Sequence, residues 1–148
     1  EIRNCDWSSD VCSSDLKAKS PTAKIELGER GEEFAAKFLK KRGYKILVPR
    51  FKSRSGEIDL VCRDGEWLVF VEVKTRESDN YGTPSEAVNR EKQKHMSKTA
   101  LDYLRLLHHP QIRWRFDIVE VILRKEADQP DDIRLIQNAF DLTEPFVY

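Results

Sequence analysis

Two alternating segments dominate the chain. Gly56-Glu57-Ile58-Asp59-Leu60-Val61 is followed by Val69-Phe70-Val71-Glu72-Val73-Lys74, and Asp64-Gly65 between them is a strong hairpin turn signal. With those two residues as the loop, Arg63 is expected to pair with Glu66, Asp59 with Phe70 and Glu57 with Glu72. Side chains alternate faces with period two, so Glu57, Asp59, Glu72 and Lys74 are predicted on one side of the sheet. Ile58, Leu60, Val69, Val71 and Val73 are predicted on the other, facing the core.

Around this hairpin the pattern predicts further elements. A helix from about Thr22 to Arg42, closed by Gly43, carries Phe34, Ala35, Phe38 and Leu39 at helical spacing. Glu32 falls on the edge of that stripe, toward the sheet, whereas Glu33 aligns with Lys37 and Lys40 on the wet face. Tyr44 to Phe51 reads as a strand and 52–56 as a loop; strands follow at about 57–63 and 66–76. Thr83-Pro84-Ser85-Glu86 is a capping box with proline at the first helical position, which predicts a helix running to about Leu107. Ile112–Arg124 reads as a long strand and Ile133–Gln137 as a short one. The order α-β-β-β-α-β-β predicts an α/β fold, a mixed central sheet with helices on both faces.

Composition narrows the class. At 148 residues the chain suits one domain with a real core. No apolar run approaches membrane-spanning length. Residues 1–16 look unlike the rest: Asp6 to Leu16 resembles a translated reading frame of a sequencing-library adapter. A disordered Ser/Asp-rich tail is the bland alternative, and a signal peptide is disfavoured for want of an apolar region. Residues 1–19 are therefore set apart, and 20–148 are expected to form the single domain. The 26 bases and 26 acids balance overall, but setting aside 1–16 leaves 25 bases against 22 acids, a net of +3. Only Cys62 remains in the domain, which excludes a disulfide framework and a Cys-based zinc site and fits a reduced, cytoplasmic setting. It is expected to be a small buried hydrophobe.

Three carboxylates and an ammonium on a hydrophobic hairpin are costly to bury without a purpose. They could be a solvated charged face, yet Val61, Leu68 and Phe70 share it. A hard cation would supply the purpose, because Mg²⁺ binds through carboxylate oxygens. The Asp59…Glu72-x-Lys74 arrangement resembles the PD-(D/E)xK nuclease signature. A wider set extends the match: Gly31-Glu32, Ala35-Ala36, Leu39, Gly43-Tyr44, Ile46-Leu47, Gly56 to Leu60, Phe70 to Arg76, Ala87-Val88, Lys92-Gln93 and Arg115-Phe116-Asp117. In order and spacing it resembles the YraN family, endonuclease-like and related to archaeal Holliday junction resolvases. One departure is Arg50, which stands where the family's Asn is expected.

The resemblance, which covers roughly Gly28 to Val121, implies a restriction-endonuclease-like fold and a metal-dependent endonuclease acting on nucleic acid, DNA before RNA, with branched DNA a candidate substrate. Asp59, Glu72 and the backbone carbonyl of Val73 would hold Mg²⁺ or Mn²⁺. Lys74 and Glu32 would complete the catalytic set. Glu57 keeps two roles open: a further ligand, or a strand-entry residue paired with Arg54 or Lys74. Arg54 and Arg76 flank the expected cleft, with Arg90, Lys92, Lys94 and Lys98 on the second helix; clustered bases beside an acidic site suggest phosphate binding. Gln93 is a candidate contact to a base or phosphate. A non-catalytic nucleic-acid-binding protein of the same fold is the rival reading, and a homodimer is open because junction resolvases act as two-fold dimers.

Overall fold

The computed structural model describes residues 21–77 and 88–142. The tail set apart above and the Thr83–Glu86 capping box lie outside them. The described elements run α1 (Pro21–Lys41), β1 (Lys45–Ser53), β2 (Gly56–Asp64), β3 (Trp67–Arg76), α2 (Arg90–Leu106), β4 (Arg113–Ile122) and β5 (Asp132–Phe140). This is the expected α-β-β-β-α-β-β order. The sheet is five-stranded, in spatial order β1-β2-β3-β4-β5. It is mixed: β3 and β4 run parallel, and the other neighbours pair antiparallel. The parallel step needs a crossover, and α2 lies within it.

Each helix covers one face. Leu27, Ala35 and Leu39 of α1 pack against Leu60, Cys62, Val69, Val71, Val73, Val119 and Val121. Met96, Ala100, Leu101 and Leu104 of α2 pack against Ile58, Val61, Leu68, Phe70, Phe116 and Ile118. Aromatic edge-to-face contacts fill the second layer, with Phe70 5.8 Å from Tyr103 and 6.0 Å from Trp114. Cys62 is fully buried, and burial pushes its thiol up to about 12, so it behaves as a small hydrophobe.

The hairpin register differs from expectation. Arg63 pairs with Leu68 and Asp64 with Trp67, so the loop is Gly65-Glu66. Gly65 takes φ 60° at the first loop position, the left-handed conformation that type II′ hairpins reserve for glycine. Continued past Leu60↔Val71, this register brings Asp59 opposite Glu72, not Phe70, and Glu57 toward Lys74. A two-residue slip preserves the facing of β3.

Alternation also breaks in β2. Ile58 packs in the α2-side core, whereas Leu60 packs in the α1-side core; the sequence pattern had put both on one face. The break coincides with Asp59, whose β1 counterpart Arg50 drops out of the ladder between Pro49↔Leu60 and Phe51↔Ile58. Arg50 has φ 52°. Asparagine tolerates this left-handed region better than arginine, which gives a physical reason for the Asn expected there. Such local kinks re-aim side chains. The expected helix does not run unbroken from the capping box: Asn89 is extended (ψ 172°), and α2 begins at Arg90, capped by Asn89, whose side chain accepts the Lys92 N–H.

Candidate functional site

The site is assembled where α1 meets the C-terminal half of β3. A Cβ at Gly31 would fall 1.8 Å from Thr75 Oγ1, so only glycine lets α1 settle this closely on β3. The next residue, Glu32, thereby reaches an open cleft of about 1040 Å³ that it lines with Asp59, Glu72, Val73 and Lys74.

Asp59 leans across the end of the β2–β3 ladder: its Oδ2 accepts the Val73 N–H at 2.8 Å. Glu72 is 4% exposed, and its Oε1 is buried with no hydrogen-bond partner among the described residues. Its Oε2 lies 3.5 Å from Lys92 Nζ. Burial first, and then the Glu72 charge, push the Asp59 carboxyl up to about 8. Burial also raises Glu72, against the opposing pull of Lys92 and Lys74 and a hydrogen bond with Asp59. Burial disfavours the charged form of both carboxyls, at a point where a cation could stand.

Glu32 faces the same cleft, but its Oε2 accepts Arg50 Nε at 2.9 Å, and Arg50 Nη2 lies 3.3 Å from Glu29 Oε1. Among the described residues no three His, Cys, Asp or Glu side chains converge as a metal cluster. The donors available to a cation are therefore two carboxylates and backbone oxygen. That set suits a hard ion, and the unpartnered buried Oε1 of Glu72 is what such an ion would satisfy.

The other sequence candidates scatter. Glu57 is exposed, lies 3.7 Å from Lys52 Nζ and is not among the cleft-lining residues; its partner is neither Arg54 nor Lys74. Arg76 is turned to buried Glu120, Nε to Oε2 at 2.9 Å. Gln93 donates to the Val88 carbonyl at 3.0 Å and so braces the start of α2. Lys94 is half-buried, while Arg54, Arg90 and Lys98 are exposed. Lys92, expected to meet phosphate, is instead the partner of Glu72.

Three contributors escaped sequence reasoning. Arg50 is one. Lys24 lines the cleft, and the four-residue spacing Lys24-Gly28-Glu32 on one helix face is the signal that could have found it. Lys125 lines it too, placed by Arg30, which donates to the Lys125 carbonyl at 3.0 Å and to that of Ala127. That contact spans 95 residues and leaves no local signature.

Fold and site together define a small α/β protein with a paired-carboxylate cleft. Residues 31–121 match the family described as Uncharacterised protein family UPF0102, and the chain belongs to that family, the YraN family. It is similar to a UPF0102 protein of Caldicellulosiruptor saccharolyticus, 44% identical over 79% of this chain and 98% of the relative. It also resembles one of Symbiobacterium thermophilum, 49% identical over 77% of this chain and 95% of the relative. A UPF0102 protein of Rhodococcus opacus is 41% identical over 78% of this chain and 97% of its own length. Among the described residues no helix is long and apolar enough to cross a membrane.

Proposed function

We propose that this protein is a metal-dependent endonuclease that hydrolyses phosphodiesters in cytoplasmic nucleic acid, DNA before RNA. The observation that carries the reading is Glu72: a buried carboxylate with an oxygen that has no partner among the described residues, set against a second carboxyl, Asp59, whose charged form burial disfavours. A purely structural pair would be matched by hydrogen bonds. This one leaves an oxygen of Glu72 unmatched among the described residues, beside a cleft.

In this reading Asp59 and Glu72 hold Mg²⁺ or Mn²⁺, with the Val73 carbonyl as a further donor. The bound ion would supply charge neutralisation at the scissile phosphate and an acidified water. The Lys74 ammonium sits in the same cleft, where it orients the attacking water and stabilises negative charge as it develops. Glu32, steadied by Arg50, holds a second water. The cleft lysines Lys24 and Lys125, with Lys94 and Lys98 of α2, attract the phosphate backbone.

The test is a cleavage panel of branched, nicked, flap, linear and single-stranded substrates with Mn²⁺. Asp59→Asn and Glu72→Gln should each abolish cleavage while leaving the fold and substrate binding in place, because each keeps shape and removes a ligand oxygen. Lys74→Ala should lose turnover but keep Mn²⁺ binding. Wild-type cleavage by Asp59→Asn and Glu72→Gln would sink the proposed site. A wild type that binds Mn²⁺ and DNA yet cuts nothing supports the non-catalytic alternative.

A further inference from the structure

We propose that Lys92 is the resident counter-ion of this site, an ammonium that occupies the cation's place against Glu72 and gives way when a divalent ion loads. The inference rests on the reading of Asp59 and Glu72 as metal ligands and adds to it the group that guards them. Lys92 Nζ is 3.5 Å from Glu72 Oε2, and it reaches there from a half-exposed position: the lysine side chain is 38% exposed and the glutamate side chain 5%. One partner is thus fixed in the core and the other is tethered at the surface by a flexible four-carbon stem that can withdraw.

The position of Lys92 on its helix supports exchange over permanence. It lies in the first turn of α2, its N–H given to the Asn89 cap. A cation there opposes the helix dipole, which favours negative charge at an N-terminus. Glu72 supplies the compensating charge. The pairing is also incomplete, because a single ammonium at 3.5 Å leaves Oε1 buried and without a partner among the described residues. Glu72 would hold a divalent ion more completely than it holds one ammonium, and Lys92, on its flexible stem, would then withdraw. The freed ammonium stays tethered to α2 beside the cleft, where a phosphate would lie. Metal loading and phosphate capture are then coupled through one side chain.

Two measurements on the full chain test the exchange, both without nucleic acid. In calorimetric titration with Mn²⁺, Lys92→Met should bind roughly tenfold tighter than wild type, since a competing charge a few ångströms away is gone, while Lys92→Arg should stay near wild type. In amine acetylation read residue by residue by mass spectrometry, Mn²⁺ should raise Lys92 labelling several-fold relative to exposed Lys40. Unchanged or weaker Mn²⁺ binding by Lys92→Met overturns the proposal. Tighter binding with unchanged Lys92 labelling also overturns it, since Lys92 is then a static structural partner. The underlying site reading fails separately: wild type would then bind no Mn²⁺, or bind it undiminished after Asp59→Asn and Glu72→Gln. Mn²⁺ binding that those two variants abolish, with Lys92→Met unaffected, sinks only the role of Lys92.

Discussion

Asp59 carries an acid into a place where its charged form is disfavoured, and that has a measurable consequence for stability. Its ordinary value of 3.8 rises to about 8 in the fold, through burial and the neighbouring Glu72 charge. Between those values the native state holds a proton that the unfolded chain releases. Stability from this group is therefore fully present below about pH 4 and is lost as pH rises toward 8. Glu72, also raised, acts in the same direction. Urea titrations of metal-free protein across that window should show a decline of at most about 1.4 kcal/mol per pH unit per proton. Asp59→Asn should flatten it. A wild-type profile that is flat, or that rises through this window, would show that the carboxyls are solvated and ordinary.

At the scale of elements, the approach of α1 to β3 is the sharpest feature. Helix propensity says Gly31→Ala should stabilise α1 by up to about 1 kcal/mol. The added Cβ, however, lands 1.8 Å from Thr75 Oγ1 and 2.9 Å from Thr75 Cβ. Rotating the threonine relieves the first clash but not the second, and overpacking of this kind typically costs about 1–3 kcal/mol. The clash should win. Gly31→Ala should lower the urea midpoint, and adding Thr75→Ala should recover part of the loss; a stabilised single variant would refute the contact. Glu32 moves with the helix, so cleavage should fall as well.

The hairpin and the two helices were legible because period two and period 3.6 leave clear marks, and so were the carboxylates it carries. The register was not. Asp-Gly and Gly-Glu loops both satisfy the same sequence and both place Gly65 at positive φ, so only the pairing of Asp64 with Trp67 decides between them. The two-residue difference kept Glu72 on its expected face while changing its partner. The break at Asp59 was hidden for a related reason: it depends on Arg50, a residue with no propensity for φ 52°. Lys92 was legible as a base beside the cleft but not as the partner of Glu72, and Lys125 was not legible at all, because both placements rest on contacts between distant elements.

Over the whole molecule, two polar clusters obey opposite rules. On the α1 face toward the β2–β3 turn, Arg115 bridges Asp117 and Asp64, each at 2.9 Å. Tyr44 donates to Asp117 Oδ2 at 2.9 Å and accepts from Gln137 at 2.8 Å, and the Asn138 N–H fills Asp117 Oδ1 at 2.9 Å. Asp117 is fully buried, yet both its oxygens are matched. The Arg115-Phe116-Asp117 run that marks the resemblance thus ties β2, β4 and β5 to Tyr44, the residue just before β1. The cleft does the reverse, leaving an oxygen of Glu72 without a partner among the described residues. Removing charge should therefore have opposite effects at the two clusters. Arg115→Met strands Asp117 in the core and should cost roughly 3–5 kcal/mol, the usual penalty for orphaning a buried ion. Glu72→Gln relieves the cleft and should leave metal-free stability unchanged or raised, while abolishing Mn²⁺ binding. Denaturation midpoints of the two variants, each with and without Mn²⁺, give the comparison directly. Mn²⁺ should raise the midpoint of Arg115→Met, whose cleft is intact, and leave that of Glu72→Gln where it was. If Glu72→Gln proves as destabilising as Arg115→Met, the cleft carboxylates are structural partners, and the case for a metal centre falls with them.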